Sequence, residues 1–272
     1  FLDISAADFY CINTVTDDTG CSSAPIDCID IVEISTPVVD AGADLEVCVN
    51  SDIIIGTPAI AGQVYEWDDL DGILDDATLA EPTANTNVPG VYILTLIAYN
   101  QQCPATDDMQ LTVHDLPIIS IVADDDVICY NSTAELTASG ADTYEWTASP
   151  SLQNGVASNP MTVLPLVDET FTVTGTDLNG CQNTQTIDIT VGTELTVVET
   201  FPQDICFGAC DGSILIEPSG SYGNYTISWA APLPDLDSFD EQDLCAGTYD
   251  YTITDDENCV YNGSVTMNPL PQ

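Results

Sequence analysis

Residues 129–181 read CYNSTAELTASGADTYEWTASPSLQNGVASNPMTVLPLVDETFTVTGTDLNGC, a stretch that opens on one Cys, carries one Trp and closes on a second Cys. The same order recurs on both sides: Cys48, Trp67 and Cys103 precede it, and Cys206, Trp229 and Cys259 follow it. The Cys-to-Cys spacings are 55, 52 and 53 residues, and successive first cysteines lie 81 and 77 residues apart. Local sequence agrees, since Tyr65-Glu66-Trp67 matches Tyr144-Glu145-Trp146 and Ile227-Ser228-Trp229 is a third version. A fixed period of this length marks a tandem array in which each repeat is one structural unit.

Each unit reads as β. Ile53–Ile55, Val91–Tyr99, Phe171–Thr176 and Tyr249–Thr254 are rich in β-branched and aromatic residues, several with period-two alternation. Turn pairs punctuate them at Asp71-Gly72, Asn154-Gly155, Asn179-Gly180, Asp211-Gly212 and Asn262-Gly263. No segment sustains a helical stripe. Short strands in units of about eighty residues, with a Cys–Trp–Cys order, predict an all-β chain of tandem immunoglobulin-like sandwiches in a rod-like array. The units are 37–115, 116–195 and 196–272. Residues 1–36 read as the closing hairpin of an incomplete unit, because TVTDDTGC (14–21) matches the ends of the others. That hairpin is either a window cut from a longer array or a segment donated to a neighbouring subunit.

The cysteines point to an oxidising, extracellular compartment, because eleven are present without zinc-knuckle spacing. Cys48 with Cys103, Cys129 with Cys181 and Cys206 with Cys259 are expected to staple one end of each sandwich, leaving Cys210 and Cys245 to pair. Closing a loop of fifty-odd residues stabilises a small domain by roughly 4 kcal/mol in the chain-entropy model. Cys11, Cys21 and Cys28 form an odd set, so at least one is expected to bond outside this stretch. Phe1 is not an initiator Met and no signal-peptide pattern opens the chain, which reads as a mature or internal piece of a secreted protein.

Charge is the strongest compositional feature. The 272 residues hold 45 Asp plus Glu, one His and neither Lys nor Arg. An ordinary chain of this length carries roughly thirty basic residues. Their absence excludes a phosphate clamp, a nucleic-acid footprint, a Schiff-base lysine and an arginine finger. It also removes trypsin sites and Lys–Asn isopeptide crosslinks. Yet 44% of the residues are hydrophobic, so the chain can bury a core despite its charge. No apolar run reaches the 18 or so residues of a membrane span. Self-repulsion on this scale predicts a salt- or divalent-rich setting, in which the unfolding midpoint rises with salt or Ca²⁺.

The motifs resemble those of secreted Bacteroidota surface proteins. CFGACDGSILIEPSGSYGNYTISW and LCAGTYDYTITDDENC (206–229 and 244–259) are similar to the SprB-type repeat of gliding-motility adhesins. Residues 38–113 and 117–191 resemble PKD- or Ig-like modules of the same proteins, with Asp40-Ala-Gly-Ala-Asp44 leading to Cys48. The resemblance implies export by the type 9 secretion system and assembly into a cell-surface fibre or filament serving adhesion or motility. It implies self-assembly or contact with neighbouring repeats, and it supplies no catalytic residues. The total lack of basic residues is where this chain departs from the pattern.

A nucleophile triad needs a His, and His114 stands alone at a unit boundary, so no enzyme is expected. Among 45 acids a carboxylate pair carries no weight. Asp124, Asp125 and Asp126, and Asp69 with Asp71, are candidate Ca²⁺ ligands because hard oxygens in loops suit that ion. Solvated acidic surface is the competing reading. Tyr222 and Tyr225, in a Gly-rich loop, are candidate platforms for a glycan, the alternative function being a glycan-binding adhesin module. Trp67, Trp146 and Trp229 recur at equivalent places and are expected in the cores.

Overall fold

Alternation along the chain sets the architecture. In Ala134–Ser139 every second side chain is buried and the others face solvent, and Glu169–Thr176 buries Phe171, Val173 and Gly175 in the same rhythm. Side chains of a strand point to opposite faces in turn, so such segments line a core with one face only. The structure is a computed structural model that describes residues 8–11, 16–21, 28–31, 35–100, 103–203, 205–206, 208–230 and 238–269, with side chains omitted at 8–11, 28–31 and 202–203. Every named element among the described residues is a strand, as the sequence predicts.

The chain divides into two compact units, Phe1–Leu116 and Pro117–Gln272. In the first, Val64–Asp68, Gly90–Asn100 and Cys103–His114 form an antiparallel sheet, and Leu45–Cys48 runs parallel to the last of these. Ile53–Ile54 pairs with Thr83–Ala84 across a core of Trp67, Leu94, Leu96, Met109 and Leu111. Asp8–Cys11 also pairs antiparallel with Cys28–Ile31, with Cys11 opposite Cys28 in register. The expected roles of the Cys11 and Cys28 side chains lie outside the described residues.

The second unit holds two sandwiches. In the middle sandwich, Thr143–Trp146, Glu169–Thr176 and Gln182–Val191 form a sheet whose far edge is covered by Val127–Ile128, parallel to Thr190 and Val191. Its opposing sheet is Ser120–Ala123, Ala134–Ser139 and Met161–Val163. The last sandwich packs Thr196–Gln203, Gly212–Ser219 and Asp240–Leu244 against Thr226–Trp229, Gly247–Thr254 and Val260–Met267.

The repeat is visible in specific bonds. Each Trp is at most 3% exposed, and its indole N–H donates to a carbonyl further along at 3.0 Å: Trp67 to Leu79, Trp146 to Ser158 and Trp229 to Ser238. A buried indole needs such a partner. Tyr92 and Tyr249 each donate their hydroxyl to the carbonyl four residues upstream, Val88 and Cys245, which is the tyrosine corner of immunoglobulin-like sandwiches. Phe171 fills the third such place without a hydroxyl. Gly140 and Gly220, at φ +101° and +96°, let the chain turn where a Cβ would lie 1.9 and 2.1 Å from the Ile118 and Glu194 carbonyl oxygens.

Candidate functional site

Two local structures recur at the cysteines. The first is an opening turn. In Cys129–Ser132 the Ser132 N–H returns to the Cys129 carbonyl at 3.1 Å, and in Cys206–Ala209 the Ala209 N–H returns to Cys206 at 3.0 Å. The third residue of each, Asn131 and Gly208, is left-handed, as is Asn50 after Cys48. Asn and Gly tolerate that conformation, which explains the Cys-x-Asn/Gly spelling.

The second is a closing hairpin of the form Asp-x-x-Gly/Asn-Cys. Asp177 Oδ1 accepts from the N–H of Asn179 (2.9 Å) and of Cys181 (2.8 Å). Asp255 Oδ1 does the same with Glu257 (3.0 Å) and Cys259 (2.8 Å), and Asp17 Oδ1 with Thr19 (2.9 Å) and Cys21 (3.0 Å). The residue before each Cys is left-handed: Gly20, Gly180 and Asn258. One carboxylate therefore fixes a five-residue loop and aims the terminal Cys, a role an Asp side chain fills by mimicking a backbone turn.

These two structures sit at opposite ends of a sandwich, and that overturns the expected pairing. Ile128 pairs with Val191, at the end of Gln182–Val191, while Cys181 precedes the start of the same strand. Ten residues at about 3.3 Å each put Cys129 roughly 30 Å from Cys181. A disulfide requires Cα atoms about 4.4–6.8 Å apart. The same separation divides Cys48, in register with His114, from Cys103, and Cys206, beside the Ile205–Pro269 bridge, from Cys259. Instead, Cys129 bonds Cys259 of the following sandwich, with Cα atoms 5.5 Å apart. Cys210 bonds Cys245. Cys48 and Cys181 are disulfide-bonded, whereas Cys103, Cys206 and Cys21 are free thiols.

The Cys129–Cys259 bond pins a joint between the middle and last sandwiches. Leaving Val191, the chain passes through Gly192, whose N–H donates to the Ile128 carbonyl at 2.9 Å. Tyr222 then reaches across. Its hydroxyl donates to the Ile128 carbonyl (3.0 Å) and lies 3.3 Å from that of Thr190, while its ring packs on Gly192. Burial, with the Asp168 charge nearby, raises the Tyr222 pKa and keeps the phenol a neutral donor. The Ser221 N–H donates to Thr193 O at 3.0 Å, and the Tyr222 N–H to Asp255 Oδ2 at 3.2 Å. Asp255, only 6% exposed, thus ties the joint to the Cys259 hairpin. Burial works against its charge, but the Ser221 hydroxyl and the N–H groups of Cys259, Tyr222 and Glu257 outweigh it and hold the pKa below the ordinary Asp value.

Tyr222 belongs to the joint, and Tyr225 donates its hydroxyl to the Gly220 carbonyl. Asp124 accepts from the N–H of Asp125 and Glu135, Asp125 from Val127, and Asp69 from Ile73 and Leu74. Asp126 and Asp71 are exposed. Asp69, Asp124 and Asp125 cap their own loops, and among the described residues no group of three or more His, Cys, Asp or Glu side chains is arranged to hold a metal ion. His114 Nε2 lies 3.0 Å from Glu46 on the adjacent strand. No helix of the described chain is long and apolar enough to cross a membrane.

No protein-family model matches the chain, and no curated protein does. Among solved structures it is similar to the N-terminal eight Ig domains of Down Syndrome Cell Adhesion Molecule, at 11% identity and TM-score 0.46 over 95% of this chain. It spans 39% of that chain's length. It is also similar to the I-band fragment I67-I69 of titin, at 10% identity and TM-score 0.44, covering 88% of this chain and 100% of that one. Sidekick-1 immunoglobulin domains 1-5 align at 15% identity and TM-score 0.32, covering 94% of this chain and 65% of that one. Strand order, tryptophans and tyrosine corners make the chain a tandem array of Ig-like sandwiches.

Proposed function

We propose that the chain is a structural segment of a secreted bacterial cell-surface fibre, an adhesion or motility appendage. The observation that carries this reading is the Cys129–Cys259 bond, which joins one sandwich to the next rather than closing a single domain. A bond of that kind adds little to a binding pocket and much to the rigidity of a joint under load. It acts together with the Tyr222 and Asp255 contacts, which hold the linker at 192–195 on both sides. Uniform acidity supports the same reading, since net negative charge keeps long chains soluble and apart until salt or divalent ions screen them. Export through the type 9 route rests on the motif resemblance at 206–229 and 244–259.

Electron microscopy of native surface material, labelled with antibody against this chain, tests the proposal. Label running along regular filaments supports it. Label confined to non-filamentous material, with specific binding of the purified chain to a glycan array, would replace it with an adhesin module.

A further inference from the structure

The cysteines of the two recurring structures form a set with complementary ends. Opening turns carry Cys48, Cys129 and Cys206, and capped closing hairpins carry Cys21, Cys181 and Cys259. Cys129 and Cys259 bond each other across a joint, and Cys48 and Cys181 are also disulfide-bonded. The two left over are one of each kind: Cys206 on an opening turn and Cys21 on a capped hairpin, both exposed free thiols. Cys103 lies in a hairpin that lacks the Asp cap and falls outside the set.

We infer that Cys206 of one copy of this chain forms a disulfide with Cys21 of the next, so that copies join head to tail through the same turn-to-hairpin joint seen at Cys129–Cys259. The inference rests on the structural reading above and names the partner. The Cys206 turn has the same returning hydrogen bond and left-handed third residue as the Cys129 turn. The Asp17 hairpin presents Cys21 through the bonds that present Cys259. The joint is heterologous, with different surfaces on the two partners, so it propagates into an open chain instead of closing a dimer.

The chemistry is thiol–disulfide exchange with a disulfide carrier of the oxidising compartment, a small-molecule or protein disulfide. The Cys21 thiolate attacks the carrier, forming a mixed disulfide and releasing one carrier thiolate. The Cys206 thiolate then attacks the Cys21 sulfur and expels the second carrier thiolate. Two cysteine thiols lose two electrons and two protons, and the carrier disulfide is reduced to its two thiols.

The test uses the full chain with Cys21→Ser and Cys206→Ser variants, oxidised in a buffer of glutathione and its disulfide and run on non-reducing gels. The wild type gives a ladder that collapses to monomer on reduction. Each variant alone stays monomeric, and their equimolar mixture gives a dimer and nothing larger. Dimerisation of Cys21→Ser alone, a monomeric wild type, or a mixture that stays monomeric would each overturn the inference. Mass mapping of the same samples separates the two readings. A linked Cys129–Cys259 peptide without a ladder discards only the copy-to-copy bond, whereas loss of that peptide discards the structural reading as well.

Discussion

Replacing Cys129 and Cys259 together by Ala removes the bond across the joint, and the chain-entropy model sets the size of the effect. The two cysteines are 130 residues apart, and a loop of that length corresponds to about 5 kcal/mol at 25 °C. The dependence is logarithmic, so details of the unfolded chain alter it little. The Cys210–Cys245 bond, separated by 35 residues, shortens the loop. If the last sandwich unfolds while the middle one holds, the loop is about halved, which trims roughly 0.6 kcal/mol. Either way the expected loss is about 4–5 kcal/mol, a large share of the stability of a small domain. Guanidinium unfolding of wild type and double variant, followed by fluorescence of Trp146 and Trp229 together with calorimetry, measures it. The variant should show an earlier transition for the last sandwich and a loss of cooperativity between the two. A loss below about 1 kcal/mol would refute the reasoning, because a bond absent from the native state constrains nothing.

Three further outcomes follow from the joint and its cysteines. Tyr222→Phe removes the hydroxyl that reaches Ile128 and Thr190 and should cost about 1 kcal/mol, while Gly192→Ala drives a Cβ to 2.8 Å from the Tyr222 ring and should open the joint. Both appear as faster amide exchange at 192–195 and 220–223. Asp255 has a pKa below its ordinary value in the fold, so its contribution is complete above the unfolded pKa near 3.8 and is lost as pH falls through the lower folded value. Urea midpoints should drop below about pH 4, and Asp255→Asn should flatten part of that slope. The Asp211 carboxylate accepts a hydrogen bond from the Cys206 thiol and repels the thiolate that would replace it, which raises the pKa of Cys206. Asp211→Asn should therefore speed iodoacetamide labelling of Cys206 at pH 8, and unchanged labelling would remove Asp211 from that role.

How much of this was legible beforehand differs from residue to residue. Trp67, Trp146 and Trp229 were readable because a large aromatic at a fixed place in each repeat has one plausible home, and all three are buried with the same indole bond. The similarity of TVTDDTGC to the ends of later units carried further than expected, since Asp17, Asp177 and Asp255 make equivalent bonds. The Cys210–Cys245 bond was readable as the pair left over by the repeats, but the pairing of the repeat cysteines was not. Spacing of 52–55 residues suggested a loop closed within a unit, but that distance in sequence says nothing about which end of a sandwich each Cys occupies. The deciding feature is the short parallel pairing of Val127–Ile128 with Thr190 and Val191, which sends Cys129 to the exit end of its sandwich. A two-residue strand leaves no periodicity to detect. Acidic clusters leave both a cap and a ligand reading open in the sequence. Asp69, Asp124 and Asp125 spend their oxygens on neighbouring N–H groups, and composition does not distinguish a loop cap from a ligand.

The most direct measurement is disulfide mapping of the unreduced full chain after cleavage at Asp and Glu, the only charged residues available to a charge-specific protease. The account predicts a peptide pair linking Cys129 to Cys259 and another linking Cys210 to Cys245. Pairs linking Cys129 to Cys181 and Cys206 to Cys259 would contradict it, returning each bond to its own sandwich and leaving the joint unpinned.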